Sequence, residues 1–231
     1  MSKSPTTAAA LFQEGNRHLS TGNVHAARRC FQEALDLAPD FAEAHTNLGM
    51  LLDQEGMSEE AERHYRLSLS LNPGYGETYL NLGVLLFGQK RFQEAETAYR
   101  RALALTPENP AAWSNLGALQ AYTKQEKEAE LSYRRALAIA PDDRKASFNL
   151  GCLLLRQGRY EEGWPCFEAR DWYARLEKMI PCPRWHGEPL SGRALLIGLE
   201  AGHGDMIQFC RYAGILKAQG LQGSRSSATR P

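Results

Sequence analysis

Five glycines, Gly15, Gly49, Gly83, Gly117 and Gly151, follow one another at intervals of 34 residues. No other feature constrains the fold of this chain as tightly. Twelve residues past each glycine stands a small residue: Ala27, Ala61, Ala95, Ala129 and then Gly163. Four further on there is an aromatic ring every time, at Phe31, Tyr65, Tyr99, Tyr133 and Phe167. Pro39, Pro73, Pro107 and Pro141 close the first four units. Position types locked to one period of this length define a supersecondary unit that buries its apolar face only by stacking on copies of itself.

Each unit reads as two helices. Leu48 and Leu52, like Leu82 and Leu86, keep a spacing of four around the glycine, which is helical periodicity. Gly22, Gly56 and Gly158 mark a turn. The second helix carries the small residue, the aromatic and a leucine pair such as Leu35 and Leu37, or Leu103 and Leu105. Proline then stops it, because it lacks the N–H that a continuing helix needs. Small residues fall where helix axes approach, and the ring fills the space beside them. The expected architecture is all-α: a right-handed α-solenoid of five helix-turn-helix repeats at 8–41, 42–75, 76–109, 110–143 and 144–177, after a disordered segment 1–7. Glu14 replaces the leucine before the glycine, as an exposed terminal face would allow. Pro165 is expected to kink the last second helix or delay its start.

The 34-residue period and these residues resemble the tetratricopeptide repeat. The resemblance implies a scaffold that binds a protein or peptide on its concave face. Asn47, Asn81, Asn115 and Asn149 share the period, each two residues before the glycine. Two helical residues span about 200°, so the amides point away from the glycine's packing face. An amide offers donor and acceptor together, which suits an extended peptide backbone. The column resembles the asparagine ladder in the repeat domain of the O-linked N-acetylglucosamine transferase. Local hydrogen bonding is the other reading of the same residues. Gln13 stands at this place in the first repeat. Met50, Asp53, Val84, Phe87, Ala118, Tyr122 and Cys152 flank the column. Phe87 and Tyr122 are the candidate anchors, because aromatics dominate interface energetics; packing between adjacent first helices is the alternative.

Charge and composition narrow the classes. With 27 Lys+Arg against 27 Asp+Glu, the chain lacks the basic excess of a nucleic-acid or acidic-membrane binder. No apolar run approaches the roughly 20 residues that span a bilayer. Residues 1–7 lack the apolar core of a secretory signal. Five cysteines without metal-ligand spacing read as reduced thiols, so a cytoplasmic protein is expected. The histidines show neither i, i+4 pairing nor an HExxH arrangement, and His45, aligned with Tyr79 and Trp113, reads as a packing residue. No catalytic set assembles from spacing, and no cofactor or metal is expected.

Beyond Tyr173 the period fails. Pro181, Pro183, Gly187, Pro189 and Gly192 make a linker around Trp185 and His186. Ala194 to Leu199 reads as a buried strand, Glu200 to Asp205 as a glycine-rich turn, and Met206 to Ala218 as a helix. Trp185 to Leu190, Gly204-Asp205, Ile207 to Phe209 and Arg211-Tyr212 resemble a bacterial family joining tetratricopeptide repeats to a heptosyltransferase-related domain of the GT-B type. That resemblance places Asp205 at the position of the acceptor base, here as a vestigial candidate at most. One strand and one helix cannot form the two-domain donor site of such an enzyme, so no sugar transfer is expected from the chain alone. Residues 220–231 are expected to be a disordered tail, with 178–219 a transferase-like segment cut short by truncation or frameshift.

Overall fold

A computed structural model of the chain describes residues 7–169, together with the backbone of 194–198 and 223–227. It divides into two compact units, Met1–Ala174 and Arg175–Pro231. In the first, the described residues form ten helices: α1 (Ala8–Ser20), α2 (Val24–Leu37), α3 (Ala42–Gln54), α4 (Ser58–Leu71), α5 (Gly76–Gly88), α6 (Phe92–Leu105), α7 (Pro110–Tyr122), α8 (Glu126–Ile139), α9 (Arg144–Arg156) and α10 (Tyr160–Phe167).

Odd-numbered helices are the first of each repeat and even-numbered ones the second. The pair packs as a hairpin, and each second helix also packs on the first helix of the next repeat, as α2 does on α3 and α6 on α7. Side-chain oxygens of Thr7, Asn23, Asn109 and Asp143 cap the N-termini of α1, α2, α7 and α9. The close approach of the two helices explains the glycine period. A Cβ on Gly83 would stand 2.5 Å from the Tyr99 ring, and one on Gly15 2.5 Å from that of Phe31. Phe31, Tyr65 and Tyr99 are buried, forming with Leu51, Leu85 and Leu119 a core that runs across the first four repeats. A second cluster gathers Tyr133, Leu150, Leu153 and Leu154. Each such side chain gives about 1.5–3 kcal/mol when removed from water, and the cluster continues from one hairpin to the next.

Several details differ from the pattern read in the sequence. Helix α10 starts in register at Tyr160 and ends at Phe167 after eight residues, with Pro165 inside it. It does not begin late. Pro165 cannot donate the N–H that Glu161 O would receive, so the helix stops two residues on. Glu14 is exposed and pairs with Arg17 at 3.4 Å and with His18 at 3.7 Å. His45 does pack, but it also bonds. Its Nε2 donates to Pro39 O at 2.9 Å, so Nδ1 of the neutral ring accepts from His64 Nδ1 at 2.8 Å. Burial, then the His45 ring and Arg63, hold His64 below the ordinary imidazole range, with Glu60 opposing them. Trp113 repeats the first of these bonds two units on, donating Nε1–H to Pro107 O at 2.8 Å.

In the second unit, β1 (Ala194–Gly198) pairs in parallel with β2 (Gly223–Ser227), from Ala194 opposite Gly223 to Gly198 opposite Ser227. The strand expected near Ala194 is therefore present. The segment expected to be a disordered tail contributes the other strand. Its polar side chains gave no signal, because pairing uses backbone groups that composition does not report. The glycine-rich turn at 200–205, with Asp205, and the helix read at 206–218 lie outside the described residues.

Candidate peptide-binding face

The first helices form one face, on which α3 touches α5, α5 touches α7, and α7 touches α9. Asn47, Asn81, Asn115 and Asn149 lie on these four helices in turn and are all half-buried. Their amides divide into two pairs. Asn47 Nδ2 donates to Asn16 Oδ1 at 2.7 Å. Lys145 Nζ donates to Asn115 Oδ1 at 3.2 Å. Asn81 and Asn149 have no side-chain hydrogen-bond partner among the described residues.

The two bonded partners sit at fixed places in the register: three places further along on the preceding first helix, or four places earlier on the following one. For Asn47 the preceding residue is Asn16, and for Asn115 the following one is Lys145, both able to bond. At the same register places Asn81 has Met50 and Ala111, and Asn149 has Ala118 on the preceding helix; none of these side chains carries a nitrogen or oxygen. Local bonding is therefore present at Asn47 and Asn115, while the Asn81 and Asn149 amides have no side-chain partner among the described residues.

Phe87 and Tyr122 meet edge to face, with ring centroids 5.8 Å apart. Phe92, at the start of α6, joins them at 5.0 Å from Tyr122 and 5.9 Å from Phe87. The rings pack between adjacent first helices, yet Tyr122 remains 58% exposed and Val84 beside them 43%. Phe92 was not singled out from the sequence. The signal available was its register: it takes the place held by Val24, Ser58, Glu126 and Tyr160, the first residue of each second helix. Cys152 is exposed, while Met50 and Ala118 are half-buried. Among the described residues there is no cluster of three or more His, Cys, Asp or Glu side chains that could hold a metal. No described helix is long and apolar enough to cross a membrane.

Stacked helical hairpins with an open first-helix face define an α-solenoid scaffold. The tetratricopeptide repeat pattern matches residues 12–76, 80–144 and 127–181, and the chain belongs to that family. Protein FlbA of Caulobacter vibrioides is 38% identical over 80 residues, a match that spans 33% of this chain and 13% of that protein. The solved structure of pilF from Pseudomonas aeruginosa is similar with a TM-score of 0.66 and 24% identity, over 73% of this chain and 75% of that one. MamA is similar with a TM-score of 0.59 and 22% identity, over 72% and 97% of the two chains. YrrB, described as a tetratricopeptide protein with an unusual peptide-binding site, gives a TM-score of 0.57 at 19% identity, over 76% and 93%. At these identities the structural likeness shows the fold.

Proposed function

We propose that the chain is a non-catalytic binding module that holds an extended peptide segment of another protein along its first-helix face. The observation that carries this reading is the Asn81 amide on the central first helix, without a side-chain hydrogen-bond partner among the described residues, on a face that also exposes Val84 and Tyr122. An unpaired amide supplies the peptide backbone with a donor and an acceptor, and the apolar side chains supply contact area. Asn149 extends the open positions toward the last repeat. Asn47 and Asn115 keep spare capacity beyond the bonds they already make. The peptide-binding description of YrrB, a protein of the same fold, supports the same reading, which is that of a cytoplasmic scaffold.

Replacing Asn81 and Asn115 with alanine tests it. Circular dichroism should be unchanged, while capture of partner proteins in a pull-down should fall several-fold. Undiminished capture by a folded double variant would remove the asparagines from the site.

A second reading, a transferase-like segment beginning after the repeats, is favoured by the parallel pairing of β1 with β2. Parallel strands require a crossover, as in a βαβ unit. Saturable binding of a nucleotide sugar by the purified chain would support it, with Asp205 as its candidate residue; a flat titration would count against it.

A further inference from the structure

The ring cluster marks a spot that recurs along the first-helix face. It is built from the penultimate residue of a first helix, the opening residue of its own second helix, and the last residue of the next first helix. In the third repeat these are Phe87, Phe92 and Tyr122, and rings fill the spot. One repeat later they are Ala121, Glu126 and Arg156, and an ion pair between Arg156 and Glu126 at 3.0 Å closes it. One repeat earlier they are Asp53, Ser58 and Gly88. Among the described residues this spot is open: beyond its own helix backbone and chain neighbours, a Cβ on Gly88 would meet no atom within 4 Å. The half-buried Asp53 carboxylate has neither an ion pair nor a side-chain hydrogen bond among the described residues. Burial holds it above the ordinary carboxylate range, as expected of a charge lacking a counter-ion.

On α3 and α5, the first helices that carry this spot, the acidic side chains are Glu43, Asp53 and Glu77, with no Lys or Arg; α1 carries Glu14 and Arg17, α7 has no charged residue, and α9 carries Arg144, Lys145 and Arg156. A guest charge on this half of the face is therefore selected to be positive. Packed neighbouring helices lie about 8–10 Å apart, which an extended chain crosses in about three residues at roughly 3.3 Å each.

We propose that the bound segment carries a Lys or Arg about three residues from an aliphatic or aromatic residue, with the cation seated at Asp53 and the apolar side chain on Val84, Phe87 and Tyr122. This rests on the peptide-binding reading above and specifies its guest.

The test is to pan a random dodecapeptide phage library against the full chain and against Asp53→Asn. The wild-type protein should enrich a basic residue at that spacing from an apolar one, and Asp53→Asn should keep the apolar preference while losing the basic one. A synthetic consensus peptide should then lose about 10-fold in affinity for the wild-type chain when its Lys is replaced by norleucine, the size of one charge-assisted contact. Asp53→Asn should bind the two peptides alike. A consensus without a basic residue, or equal norleucine losses in both proteins, would overturn this proposal and leave peptide binding intact. Failure of the wild-type chain to enrich any sequence over an uncoated surface would overturn the peptide-binding reading itself.

Discussion

Thr46 and Ser114 occupy equivalent places two repeats apart, and their hydroxyls have opposite fates. Thr46 Oγ1 lies 2.8 Å from Ser68 Oγ and 2.6 Å from Thr78 Oγ1, in a buried cluster that joins α3, α4 and α5. The places corresponding to Ser68 and Thr78 are held by Ala136 and Ala146, and the buried Ser114 Oγ has no hydrogen-bond partner among the described residues. A buried polar group is stabilising when paired and costly when orphaned. Thr46→Val should therefore lower the unfolding free energy by about 1–2 kcal/mol, because it removes the shorter bond of both Ser68 and Thr78 and leaves them only their 3.3 Å contact with each other. Ser114→Ala should leave it unchanged or raise it by up to about 1 kcal/mol. Urea unfolding midpoints of the two variants would check the contrast. Equal losses would mean that Ser114 is satisfied in solution.

At the scale of the element, every hairpin turns through the same motif, although its residues differ. The left-handed position falls on Gly22, Gly56, Lys90, Lys124 and Gly158, with φ of 62° at both lysines. The next backbone N–H reaches back to the last turn of the first helix each time, as from Met57 N to Leu52 O at 2.8 Å and from Arg91 N to Leu86 O at 2.9 Å. This is the bonding of a glycine-terminated helix. The three glycines were legible in the sequence, but the two lysines were not, because packing of the hairpin imposes a conformation that their own preference opposes. Lys90→Gly and Lys124→Gly should each stabilise by about 0.5–1 kcal/mol, after allowing for the freedom glycine regains in the unfolded chain. Thermal melting of the single and double variants would show it. The joints between hairpins are less uniform. Glu62, Arg66, Arg91 and Glu94 form an ion quartet between α4 and α6, with Arg91 at 2.8 Å from Glu62 and 2.6 Å from Glu94. Glu130, Arg134, Arg159 and Glu162 repeat it between α8 and α10. Gln125 stands where the intervening joint would need its arginine.

For the whole molecule, the division after Ala174 has an energetic meaning. In a stack, each hairpin is stabilised by its immediate neighbours, and among the described residues the core from Phe31 to Leu119 is built by the first four repeats. A chain ending at Ala174 should keep its helical circular dichroism per described helix and a melting midpoint within a few degrees of the full chain. Loss of the cooperative transition would mean that the repeats depend on the second unit.

The sequence by itself determined the period, the two helices of each repeat, their order and the α-solenoid class. It could do so because those features depend on residues close along the chain and are repeated five times over. Only the tertiary structure decided which asparagines are engaged, which rings cluster, how His45 meets His64, and that 223–227 forms a strand. Each of those outcomes depends on which particular residues face each other across a helical or strand interface. A period specifies the spacing of such contacts, while the side chains that happen to meet there decide whether a polar group is satisfied or left open to a guest.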